Sequence, residues 1–156
     1  MAVAQAKSDA LSARIAALDL PQSGWSTAAR ADALTRLSAM GLPSKRDEYW
    51  RYTDPTTLNA ANPPAAAPFV DSDEAMIFDG IEKLRLVFVD GVFDAAASDD
   101  LTLSGVEISR LAETGADIHW ARDLYGVLET RGQNPVHRPL ATLNTAFATD
   151  GLMIRV

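Results

Sequence analysis

The sequence has no cysteine. Disulfides are thereby excluded, and so is any zinc or iron–sulfur site ligated by thiolates of this chain. It has no apolar run near ~18 residues, the length at which a membrane-spanning helix becomes a candidate. The N-terminus, MAVAQAKSDALSARIAAL, lacks the continuous apolar centre of an export signal and reads instead as an amphipathic helix. Nothing repeats with a period of ~20–50 residues, so no solenoid is visible. Basic residues are outnumbered: 14 Lys and Arg against 21 Asp and Glu give a net charge of −7. A general nucleic-acid binder needs a basic face, and this balance argues against one. With no export signal and no span, the expected compartment is the cytoplasm, with neither nucleic acid nor membrane as partner.

At 156 residues the chain is long enough for one domain with a core, or a small domain plus part of another. Leu11, Ile15 and Leu18 share one helical face, with Ser8 as cap and Pro21 as the stop. Trp25, Ala29, Ala33, Leu37 and Met40 form a second stripe, with Leu34 beside it. Two helices joined by a short Pro/Ser/Gly turn predict an antiparallel hairpin.

Residues 41–53, GLPSKRDEYWRYT, follow directly. Gly41 suits the left-handed close of a helix, and Pro43 keeps Leu42 extended. Ser44 caps a new helix with Asp47 answering three residues on, a weak capping box. Asp47 and Arg51 are four apart in the favourable order for an ion pair. Arg46, Tyr49 and Trp50 share a face, which lets the guanidinium stack on a ring. The crowded aromatics read as a local core, with Trp50 and Tyr52 pinning the short helix to the hairpin. Arg46, Trp50, Arg51 and Tyr52 are the binding candidates, because Arg and Trp are frequent interface anchors.

Residues 54–75 change in character. Pro55, Pro63, Pro64 and Pro68 stand among alanines and polar residues, a linker composition. Beyond them Leu84–Val89 reads as a strand covered on both faces, and Asp90-Gly91 before Val92-Phe93 signals a hairpin. Leu101–Leu103 and Val106–Ile108 are shorter strand candidates. Ser109 caps a short helix through Glu113. Leu124, Val127 and Leu128 make another helix that stops near Gly132. Pro139 opens the next one, with Leu140, Leu143 and Phe147 as its stripe. The segment 152–156, LMIRV, is a strand with an open far edge.

The motif at 41–53 resembles the N-terminal region of the SufB/SufD family, scaffold proteins of iron–sulfur cluster assembly. The matching residues are Gly41, Leu42, Pro43, Ser44, Arg46, Glu48, Trp50, Arg51, Tyr52 and Thr53. Phe88–Phe93 with Gly105–Leu111, and Leu143–Phe147 through Gly151, also look like the SufD branch. The resemblance implies an α+β fold: an N-terminal helical region over 1–53, a Pro/Ala-rich linker over 54–75, and a β-rich region over 76–156. That last region would lead into a right-handed parallel β-helix. It further implies a non-catalytic component of a SufBCD-like scaffold complex, with SufB-like and SufC-like proteins as partners of the full-length protein. SufC is the ATPase in that family, and clusters are built on the scaffold. A stand-alone helical and β protein-interaction module is the alternative.

Catalytic and metal readings are weak. His119 and His137 are the only histidines. His119 has Asp117 and Asp123 nearby but no His-x₃-His or HExxH spacing, so a surface or helix-end histidine is the better reading. No G-x-S-x-G elbow and no phosphate loop appear. Neither a metal nor a cofactor is expected, and no enzyme.

Overall fold

The computed structural model describes residues 2–22, 24–62, 78, 80–89, 91–114 and 119–156. The fold is mixed α+β. The chain forms two compact units, Met1–Pro63 with Thr114–Thr149, and Pro64–Glu113 with Asp150–Val156. Residues 63–75, the greater part of the expected linker, lie outside the described residues.

The first unit is helical. Its longer helices are α1 (Ala2–Ile15) and α2 (Thr27–Met40); α3 (Val127–Arg131) and α4 (Pro139–Phe147) come from the second half of the chain. Ser8 lies inside α1 rather than at its cap, and its carbonyl accepts from Ser12 Oγ. α2 is rich in alanine and leucine, good helix formers. It buries Arg30, Ala33 and Leu37, one face at +3 and +4 steps. Its main partner is α4 rather than α1, which corrects the hairpin expectation. The physical reason is α4 itself, which carries apolar or small side chains around most of its surface and must be covered widely. Pro139, Thr142, Thr145 and Ala146 of α4 are buried. Its Leu140, Leu143 and Phe147 pack against a core of Leu11, Leu37 and Leu42. Pro139 opens α4 and Gly132 closes α3, both as the sequence predicts.

A polar knot fastens α3 to its neighbours. Glu129 Oε2 takes a 2.6 Å hydrogen bond from Arg36 of α2. Its Oε1 accepts from Thr142 Oγ1 of α4 and from Gln133 Nε2. Trp25 is also buried in this unit. Its indole stacks on His119, meets Tyr125 edge-on, and donates from Nε1 to Thr114 Oγ1.

The second unit holds two small antiparallel sheets. β1 (Phe88–Val89) pairs with β2 (Val92–Phe93), Phe88 opposite Phe93. Gly91 has φ +79°, the positive value that such a tight turn demands. The expected strand over 84–89 is cut to two residues because its earlier N–H groups are taken by side chains. Asp99 Oδ2 accepts from Arg85 N, and Ser98 Oγ from Val87 N. Nor is it covered on both faces, since Val89 is exposed. Leu103 and Val106 form a single bridge in place of a strand at 101–103.

β3 (Glu107–Arg110) pairs with β4 (Leu152–Arg155). Ser109 is therefore a strand residue opposite Met153, and the helix expected to start there does not form. Arg110 lies 4.3 Å over the Phe93 ring and pairs with Asp150 and Glu113. All these strand pairs are antiparallel; a parallel β-helix coil is not formed among the described residues.

Candidate functional site

The motif at 41–53 leaves α2 through Gly41. The Gly41 N–H donates to Leu37 O, which closes the helix, at φ +66° and ψ 176°. The positive φ was expected, but the ψ is extended rather than left-handed helical, because the chain runs straight into Leu42-Pro43. Leu42 and Pro43 are fully buried.

Ser44 and Asp47 close a turn, not an α-helix. Ser44 N and Oγ both donate to the Asp47 carboxylate, and Asp47 N donates to Ser44 O. A single 3-10 turn follows, Glu48–Trp50. The expected Asp47–Arg51 pair is replaced by a long-range one: Lys7 Nζ of α1 lies 2.7 and 2.6 Å from the two Asp47 oxygens. Burial pushes the Asp47 carboxyl up. The hydrogen bonds from Lys7 and Ser44, with the Lys7 charge, outweigh it and hold the group below its ordinary value.

This shift has a sign in stability. A carboxylate depressed in the folded state contributes stability that is complete above its unfolded pKa of ~3.9 and is lost as pH falls through the folded value. The urea midpoint should therefore drop on acidification from about pH 5 to pH 2, with part of the drop missing in Asp47→Asn. Identical pH profiles for parent and Asp47→Asn would contradict the assignment.

Two grooves border the motif within the helical unit. One, of about 720 Å³, has Leu42, Pro43 and Pro55 in its lining, with Ala6, Ala10 and Ala60, and also includes Lys45 and Arg46. The other, of about 810 Å³, is lined by Trp50, Tyr49, Met40, Val136, His137 and Pro139, among others. Lys7 belongs to both. Its side chain is thus a shared wall, and its ion-pair partner Asp47 lines the second groove.

Residues 54–62, read from composition as the start of a linker, are tied to this surface. Pro55 is fully buried. Asn59 Nδ2 donates to Pro43 O at 2.6 Å, and Arg14 Nη1 to Ala60 O at 3.0 Å.

The four predicted binding residues are dispersed. Arg46 is exposed and lines the first groove, whereas half-buried Trp50 lines the second. Arg51 is exposed, with its guanidinium 5.4 Å from the Tyr52 ring centre. Tyr52 is 90% exposed and Tyr49 60%, so the aromatics do not form a local core and Tyr52 pins nothing. The cation recorded over Tyr49 is Arg138, not Arg46. Sequence reasoning missed Lys7, Val136 and Pro139 at this surface; no local pattern could have joined them to the motif.

His119 Nδ1 accepts from Ala121 N and caps the 3-10 turn Trp120–Asp123, which bears out the helix-end reading. Asp117, its suggested companion, lies outside the described residues. Among the described residues no group of three or more His, Asp or Glu is placed to hold a metal ion. No helix among them is long and apolar enough to cross a membrane.

No curated protein matches the sequence. The family described as SufBD protein N-terminal region matches residues 8–156. The chain belongs to that family, which is one of iron–sulfur cluster assembly.

Proposed function

We propose, from that membership, that the protein is a SufD-like component of a SufBCD-like scaffold complex and acts there without catalysis. The family match over residues 8–156 carries the reading. Its partners are a SufB-like and a SufC-like protein, its compartment is the cytoplasm, and its β-rich region leads into a right-handed parallel β-helix. The motif at 41–53, with its two bordering grooves, supports a role in contact rather than chemistry. Co-expression of the protein at its full natural length with SufB-like and SufC-like proteins tests this. One co-eluting complex is the expected result; three separate elution peaks would overturn the reading.

In such a complex the cluster is held by other thiolates, since this chain has none. The 156-residue chain, reconstituted anaerobically with iron and sulfide and then desalted, is expected to show no charge-transfer band in the visible. A stoichiometric band of the protein-bound cluster type would contradict this.

A further inference from the structure

We infer that the groove beside Lys45 and Arg46 receives an acidic amphipathic helix from a protein partner. The inference rests on the reading of the chain as part of a protein assembly, and adds the surface and the chemistry of what binds there. Shape is the first argument. Leu42, Pro43 and Pro55 are buried beneath the groove, and Ala6, Ala10 and Ala60 are small. Small side chains let a helix backbone come close, and about 720 Å³ accommodates the side chains of one helix face rather than a single residue.

Charge selects the kind of helix. The chain as a whole carries −7, yet the cations on this groove are poorly compensated. Arg46 is exposed, with no ion pair among the described residues. Among the described residues Lys45 has only Asp54, at 4.0 Å, with both side chains more than half exposed, a geometry that contributes little. Lys7 is already neutralised by Asp47. A ligand with apolar residues toward Ala6, Ala10 and Ala60, and carboxylates toward Lys45 and Arg46, satisfies both features. A nucleic acid does not, because two cations over an apolar floor make a poor phosphate track.

The groove is also ready-made. Asn59 ties residues 55–60 to Pro43, Arg14 ties them to α1, and Lys7 ties α1 to Asp47. Binding then requires little ordering, and more of the contact energy appears as affinity.

The test uses the full-length protein assembled with SufB-like and SufC-like partners. A photo-crosslinking residue replaces exposed Ala6 or Thr56, and Lys45→Glu/Arg46→Glu is compared with Lys45→Arg/Arg46→Lys. The expected crosslink maps to an acidic amphipathic helix of a partner. The charge-reversed variant, folded by circular dichroism, should bind roughly tenfold more weakly, and the conservative variant like the parent. Suppose instead that the complex forms unaffected by charge reversal. A crosslinker that then reacts with nothing, with a basic segment, with a second copy, or with the chain's own residues overturns the inference and leaves the functional reading standing. If no complex forms at all, both fall.

Discussion

Arg30→Ala is expected to destabilise the helical unit by about 3–5 kcal/mol, a large part of the ~5–15 kcal/mol that a domain has in total. Arg30 sits on α2 at 1% exposure. Its Nε donates to Ser26 Oγ at 2.9 Å, its Nη1 to Ala146 O at 3.0 Å, and its guanidinium lies 5.3 Å from the centre of the Tyr125 ring. Truncation does two things at once. It opens a cavity between α2 and α4, and it strips the Ala146 carbonyl of its donor, a loss of about 1–3 kcal/mol by itself. Among the described residues no carboxylate pairs with the guanidinium. Burial accordingly pushes its pKa down, and the neighbouring Tyr125 pushes it up.

That imbalance makes Arg30→Met the informative companion. Methionine keeps much of the stem volume and removes a charge that lacks an acidic partner among the described residues. It should cost about 1–2 kcal/mol, chiefly for the orphaned carbonyl. Urea midpoints at neutral pH separate the two. Equal losses would show that the cavity is unimportant, and an unchanged midpoint for Arg30→Ala would show that the side chain is not enclosed.

Arg30 also shows where sequence reading stops. An arginine four residues after a serine on an alanine-rich helix reads as solvent-facing, because arginine is almost never fully buried unless paired. Its acceptor, Ala146, is 116 residues away. The same distance hides the α2–α4 contact, which replaces the expected α1–α2 hairpin. What was legible had a local cause: Pro139 at the start of α4, Gly132 at the end of α3, Gly91 in the hairpin, and the apolar face of Leu140, Leu143 and Phe147. Asp47 marks the boundary within the site itself. Its answer to Ser44 was readable from a spacing of three. A spacing of four points to Arg51 for its ion pair, whereas Lys7 holds it from another helix. The strand at 84–89 failed for a related reason. Hydropathy describes its side chains, but Ser98 and Asp99 decided its hydrogen bonds. The motif was thus visible as a locus. Its two grooves were not, since they need α1, residues 55–60 and residues 135–139 as walls.

Gly41→Ala should cost about 2–5 kcal/mol and disturb both grooves together. Two independent penalties act. The backbone at φ +66° and ψ 176° lies in a region that is essentially open to glycine alone, and a side chain there costs about 1–3 kcal/mol. A Cβ would also stand 2.9 Å from Lys7 Cβ, with the Lys7 carbonyl carbon and oxygen at 3.4 Å. Lys7 Cβ is the root of its side chain, so a change of rotamer cannot relieve the contact. α1 itself must move, and overpacking of this kind costs about 1–3 kcal/mol. Movement of α1 draws Lys7 away from Asp47 and removes the groups that hold that carboxyl low. The variant should therefore lose part of its acid sensitivity, in the same direction as Asp47→Asn. Gly151→Ala is the control, since its added Cβ meets nothing within 4 Å and its φ is not positive. It should stay within about 0.5 kcal/mol of the parent. A Gly41→Ala protein with the parent's urea midpoint and the parent's pH profile would show that α1 does not press on the motif. The Lys7–Asp47 ion pair would then have to be abandoned as the feature that shapes this surface.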